Sequence, residues 1–258
     1  MKSTAREFIS ALLFICPVLV QATEVSPVIA VAANFVPAVE AINKKFKTDT
    51  GHEVRISAGS SGALLRQIEQ GAPFELFLSA DESYALKLHE LGHAQDQGRI
   101  YATGRLVLYV PRQSGLNIMQ NLEDMLRQLV NEDGYKIAIA NPELAPYGAA
   151  AEQVLNRYIP YAKLQGRMIL GENVGQTAQF ALTGSVDAAF LPYALAITPQ
   201  LQESGHFELL PDDWHNPVHQ RMVLLKNAGD VARKFYNYLS SEPARKIILE
   251  SGYTLPAE

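Results

Sequence analysis

The chain has 258 residues, of which 48% are hydrophobic and 19% charged, with a formal net charge of −5. These are ordinary globular values and fit one large domain or two lobes. With no basic stripe, low-complexity tract or internal repeat, nothing in the composition points to a nucleic-acid partner.

The first 22 residues read apart from the rest. Lys2 and Arg6 precede an apolar run over residues 9–20, and the run ends in small residues at "VQATE". That is the pattern of a secretory signal peptide, with cleavage expected after Ala22. The run is too short to span a bilayer comfortably, and no later apolar stretch is long enough to do so. The single cysteine, Cys16, falls inside this leader. The exported chain would then hold no disulfide, thiol nucleophile or cysteine metal ligand. "FICP" also lacks the small residues expected before a lipidated cysteine. Losing Lys2, Arg6 and Glu7 with the leader takes the net charge from −5 to −6. A soluble exported protein is expected.

Beyond the leader, short β-rich runs alternate with amphipathic helical stretches. "VIAVAA" reads as a buried strand. It leads into "NFVPAVEAINKKF", where Phe35, Val39, Ile42 and Phe46 share one helical stripe and Gly51 closes the unit. "VRIS" is a strand, and "GSSGALLRQIEQG" turns into a helix stopped by Gly71 and Pro73. "FELFLSA" is a buried strand, followed by a helix starting near Asp81 in "SADESYALKLHELG". "RLVLYVP" and "KIAIA" are strands, and "GAAAEQVLNRY" is a helix. "NVGQTAQFALTG" is a helix ending at Gly184, "DAAFLP" a strand and "QRMVLLKN" a late strand before two last helices. Such alternation predicts α/β architecture with mostly parallel sheets. Ligands of such sheets sit beyond the carboxyl ends of the strands, where helices begin.

"HELGH", residues 89–93, matches the zinc-protease pattern H-E-x-x-H. That chemistry needs both histidines on one helical face. Here Tyr84, Leu88 and Leu91 form the expected buried stripe, and Gly92 stands where a helix C-cap glycine sits. His93 is therefore expected beyond the helix end, turned away from His89. The extended pattern also fails: Asp96 and Arg99 replace its glycine and third histidine. His215 and His219 are spaced alike, but Pro217 between them spoils a helix. "GSSG" is not the G-x-S-x-G elbow, and no triad is placed. Asp81 and Glu82 read as helix-capping groups rather than as a catalytic pair.

Four strand-to-helix junctions share one chemistry. "AANFVP" places Asn34 after a strand, with Pro37 in a first helical turn. "AGSSGALL" places Ser60 and Ser61 before a helix. "NPELAPYGAAAEQ" opens a helix at Tyr147 and Gly148, and "GENVGQTAQ" opens another at Val174 and Gly175. Each offers unpaired N–H groups and a positive dipole end, which suits an anion. Asn34, Ser60, Ser61 and Tyr147 add neutral donors. No loop tip carries Lys or Arg; Lys44 and Arg66 lie more than one turn into their helices. Read from spacing alone, ordinary helix caps are the simpler reading of these junctions.

"VAVAANF", "GSSGALLRQIEQGAPFELFLSAD", "KIAIANPELAPYGAAAEQVL" and "GENVGQTAQFALTG" together resemble the periplasmic molybdate-binding proteins of ABC transporters, over nearly the whole mature chain. The resemblance implies a two-lobed α/β fold of the type-II periplasmic binding-protein kind, not an enzyme, with each lobe a mostly parallel sheet flanked by helices. It puts residues 23–104 and 219–258 in one lobe and 105–218 in the other, with chain crossings near residues 101–106 and 217–222. It implies molybdate, and tungstate, held in the cleft by Asn34, Ser61, Tyr147 and the backbone N–H of Val174. No cofactor and no bare metal cation are expected, and the partner is an inner-membrane permease served by a monomer. One departure stands out: Pro192 occupies a position where some members carry a tyrosine hydroxyl, with Tyr193 next. Tyr147 is expected to supply the phenol instead. The alternatives are a binder of another oxyanion or small solute, or a zinc hydrolase through His89 and His93.

Overall fold

The computed structural model describes residues 26–116 and 121–256; the leader and its Cys16 lie outside them. In chain order the first part runs β1 (Val28–Ala32), a 3-10 turn (Ala33–Phe35), α1 (Val36–Thr50), β2 (Arg55–Gly59), α2 (Ser61–Glu69), β3 (Phe74–Leu78), α3 (Glu82–Glu90) and β4 (Arg99–Gly104). The middle follows with β5 (Leu106–Pro111), α4 (Leu122–Asn131), β6 (Ile137–Ala140), α5 (Pro146–Asn156), β7 (Met168–Gly171), α6 (Val174–Leu182), β8 (Ala188–Pro192), α7 (Tyr193–Ala196), α8 (Pro199–Ser204) and β9 (Gly205–Leu209). β10 (Val218–Leu224), α9 (Asp230–Tyr238) and α10 (Glu242–Glu250) complete it.

The strands form two five-stranded sheets, ordered β2-β1-β3-β10-β4 and β7-β6-β8-β5-β9. In each, three strands pair in parallel and one reversed strand, β10 or β5, separates them from a fourth of the same direction. Strand directions are thus mostly parallel, while the neighbour pairings divide evenly between parallel and antiparallel. Parallel strands covered on both faces should be apolar throughout. β1 sends Ile29 and Val31 into a core with α1, α9 and α10, and Ala30 into a second core with α2 and α3. The second sheet has one core, centred on β5, β6 and β8 with α4, α5 and α6.

The chain passes between sheets where extended strands change partners. Gly104 still pairs with Val218 in the first sheet, and Leu106 already pairs with Pro192 in the second, so Arg105 alone makes the crossing. The return runs from Leu209 through a 3-10 turn (Asp212–Trp214) into Val218. Three strands and one long helix carried no clear sequence signal. β4, β7 and β9 are edge strands of mixed burial, and α4 follows the undescribed residues 117–120.

The HELGH segment behaves as its glycine requires. α3 ends at Glu90, Gly92 takes a left-handed φ of 78°, and His93 N–H closes back on the Leu88 carbonyl at 2.9 Å. This stops the helix before His93, so the two histidines do not share one helical face. No group of three metal-ligating side chains occurs among the described residues. The expected buried stripe needs one correction: Leu91 is 44% exposed, because the helix has ended beneath it, and Ala85 joins Leu88 in the core instead. Asp81 is the N-cap and accepts from Tyr84 N–H at 3.2 Å. Glu82 pairs with Arg221 at 2.6 Å.

Candidate functional site

Four helical starts face one cavity between the sheets. Its lining is Ala32, Ala33 and Asn34 from the first junction, Gly59, Ser60 and Ser61 from the second, Ala145, Pro146 and Tyr147 from the third, Asn173 and Val174 from the fourth, and Ala80 after β3. Asn34, Ser61, Tyr147 and Val174, far apart in sequence, therefore meet in one place. No residue of the lining is charged. The cavity volume is about 10 Å³ for the centre of a water-sized sphere, roughly the travel of one such sphere. The occupant must be compact.

The local sequence explains how donors are left over for that occupant. On α6, the Asn173 side chain caps the N–H groups of Gly175 at 2.9 Å and Gln176 at 3.1 Å. The N–H of Val174, the first helical residue, has no carbonyl one turn back to bond. On α5, Pro146 removes one donor at the first turn at no cost. Ser61 opens α2, and its Oγ accepts the Ala80 N–H at 2.9 Å. That bond fixes a hydroxyl that is 1% exposed and leaves its proton to donate elsewhere. Tyr147 is arranged in the same way: its Oη accepts from Gln220 Nε2 at 3.0 Å. Gly104 makes room for it, since a Cβ there would stand 1.8 Å from that Oη.

Behind the cavity lies a polar cluster that sequence reasoning missed. Asn34 Nδ2 lies 3.0 Å from Gln220 Oε1 and 3.1 Å from Tyr253 Oη, so its amide donates into this cluster from the cavity wall. The expected side-chain donation by Asn34 gives way to a positioning role. Its own N–H, in the first turn of a 3-10 helix, is the group left for a ligand. Tyr253 donates to the Asn34 carbonyl at 2.7 Å. Tyr101 Oη sits 2.8 Å from Gln220 Oε1 and 3.1 Å from the Ser79 carbonyl. Burial pushes the phenols of Tyr147, Tyr101 and Tyr253 well above the ordinary value, so all three keep their protons. Gln220 and Tyr253 stand 186 and 219 residues from Asn34, and no motif announced them. Asn173 was legible as an N-cap but went unused.

Tyr193 does not line the cavity. Its ring lies under the Arg105 guanidinium at 4.3 Å and against Phe207 at 5.7 Å, on the hinge side. Across the cleft mouth the two halves touch directly. Gly62 N–H donates to the Leu144 carbonyl at 2.9 Å, and the Tyr84 hydroxyl donates to the Glu143 carbonyl at 3.0 Å.

Paired α/β sheets, strand crossings between them and an uncharged cavity at the carboxyl ends of strands define a solute-binding fold. The chain belongs to the bacterial extracellular solute-binding proteins, whose family model matches residues 27–254. Within that class it is similar to the molybdate-binding protein ModA of Rhodobacter capsulatus, 36% identical over 253 residues, which covers 97% of this chain and 96% of the relative. ModA of Azotobacter vinelandii is 34% identical over 239 residues, covering 91% of each chain. The solved periplasmic molybdate-binding protein of Azotobacter vinelandii superposes with a TM-score of 0.81 over 90% of this chain and 100% of that one.

Proposed function

We propose that this chain captures molybdate, and also tungstate, in the cavity between its lobes and delivers it to an ABC permease of the inner membrane. The observation that carries this reading is the polarity of the two cavity hydroxyls. Ser61 Oγ and Tyr147 Oη each already accept a protein N–H, so what they offer a ligand is a proton. With the N–H groups at four helical starts, the cavity is a shell of donors without a counter-charge. Each helix start adds about half a positive charge. A compact tetrahedral dianion, which only accepts, satisfies such a shell; a sugar or an amino acid brings donors of its own and is too large. Hydrogen bonds to an ion contribute roughly 1.5–3 kcal/mol each. Six or so, set against desolvation, leave micromolar binding or tighter, about −8 kcal/mol. The relatives named as molybdate-binding proteins favour that ion among the oxyanions.

In this reading residues 1–22 are cleaved on export, the protein works in the periplasm as a monomer, and residues 23–104 with 219–258 close against 105–218. Asn34 and Ser61 come from the first unit, Tyr147 and Val174 from the second, so only the closed form makes every contact and the ligand favours it. Molybdate and tungstate are tetrahedral dianions of similar size, and hydrogen-bond geometry hardly separates them. Sulfate is smaller and is held with lengthened bonds. Calorimetry on purified, ligand-stripped protein should show one site per chain for molybdate and tungstate, with sulfate and phosphate far weaker. Comparable sulfate affinity would reject the size argument, and no molybdate binding would reject the function.

A further inference from the structure

The hydroxyl that Tyr147 offers depends on a residue that does not line the cavity. Gln220 sits in the middle of β10, the return strand between the sheets, and is fully buried. Its Oε1 accepts from Asn34 Nδ2 at 3.0 Å and from Tyr101 Oη at 2.8 Å, as the donor-only Nδ2 requires. Nε2 is then turned to Tyr147 Oη at 3.0 Å. We propose that Gln220 is the positioning residue that sets the polarity of the site: by donating to Tyr147 it forces the phenol proton toward the bound oxyanion, and by accepting from Asn34 it ties that assignment to the opposite side of the cleft.

The inference rests on the oxyanion reading above and adds a mechanism for it. A carboxylate at 220 has nearly the same shape but accepts only. It would take the Tyr147 proton for itself and leave phenol lone pairs facing a dianion. Protonating that carboxyl restores a donor toward Tyr147, and a carboxyl buried at this position has its pKa raised by desolvation. Q220E thus makes an otherwise silent position readable through pH.

The experiment titrates sodium molybdate by calorimetry into the parent, Q220E, Q220M, Y147F and the two double variants, from about pH 5.5 to about pH 8. Thermal melts accompany each variant. The parent is expected to bind with nearly constant affinity. Q220E should lose about a hundredfold at the alkaline end, equivalent to roughly one good ionic hydrogen bond, and recover most of it toward the acid end. Q220M should lose about tenfold at every pH, about one neutral hydrogen bond. In the Y147F background either change at 220 should cost less than about threefold, because no phenol proton remains to redirect. Q220E binding like the parent overturns the proposal. So does an equal loss with and without the Tyr147 hydroxyl, which would mean bare charge or general loosening. If Q220E does not fold, the Q220M and Y147F pair carries the same coupling test. A parent that binds no molybdate overturns the functional reading instead, so the two failures are distinguishable.

Discussion

The two sides of the cavity reach the same chemistry by different means. On the side of the first sheet, donors depend on side chains drawn from across the chain: Asn34, Gln220, Tyr101 and Tyr253 form one buried cluster, and Ala80 N–H fixes the Ser61 hydroxyl. On the side of the second sheet, the Tyr147 hydroxyl still leans on Gln220 from across the cleft, but the Val174 donor needs only the main chain of one short segment. Asn173 caps two N–H groups of α6 and leaves the next one, on Val174, to the cavity. One half is a long-range network and the other a local motif. The first should be fragile to side-chain changes, and the Val174 donor indifferent to its own side chain unless the backbone itself is altered.

The largest expected effect comes from reversing polarity on the network side. Ser61→Asp puts a carboxylate against a dianion, and like-charge juxtaposition costs several kcal/mol. Molybdate affinity should fall by more than about a thousandfold in calorimetry while the melt stays cooperative. Retained binding would mean the ligand does not approach Ser61.

The next test addresses the main-chain side. Val174→Pro deletes one N–H at the first position of a helix, where proline is tolerated, and Asn173 already has the extended backbone that proline demands of its predecessor. The expected loss is roughly ten- to a hundredfold, one ionic hydrogen bond. Val174→Ala keeps the N–H and should stay within about threefold. Equal losses would show that the Val174 side chain, not its backbone, matters.

Smaller effects fall on stability. Asn173→Ala removes a cap and should cost about 1 kcal/mol, a drop of about 2–4 °C in Tm. The last test concerns pH. Molybdate affinity should be nearly flat from about pH 6 to 8, since no lining residue titrates there. Stability should hold through that range and fall above about pH 10. The phenols of Tyr101 and Tyr147 are raised by burial in the folded chain, so unfolded tyrosines lose protons first and favour unfolding. Thermal melts against pH would show it, and a rise in Tm above pH 10 would contradict it.

The same contrast explains what could be read from the sequence. The α/β alternation, the Gly92 stop and the four helix starts are local patterns of a few residues each. β4, β7 and β9 are short edge strands whose mixed burial dilutes the period, so they left little trace. Site residues Ser61, Tyr147 and Val174 stand at helix starts and were legible; Asn34 was legible as a position but not in its contacts. The groups that consume its amide protons lie across most of the chain, brought close only when β10 and the C-terminal residues pack beside β4. A long-range polar network has no period and no spacing to detect.

The direct bonds across the cleft mouth have a consequence for release. At the rim, separating the halves breaks Gly62 N–H to Leu144 and Tyr84 hydroxyl to Glu143, beside the buried Gln220–Tyr147 bond; water takes up the rim groups, and each rim bond contributes only about 0.5–1.5 kcal/mol net. The latch is therefore shallow. On the proposed function, a bound anion adds contacts from both sides to these rim bonds and so favours the shut form. A receiving protein that competes for the Glu143–Leu144 carbonyls could unfasten the jaw from its rim, without having to reach the ion inside.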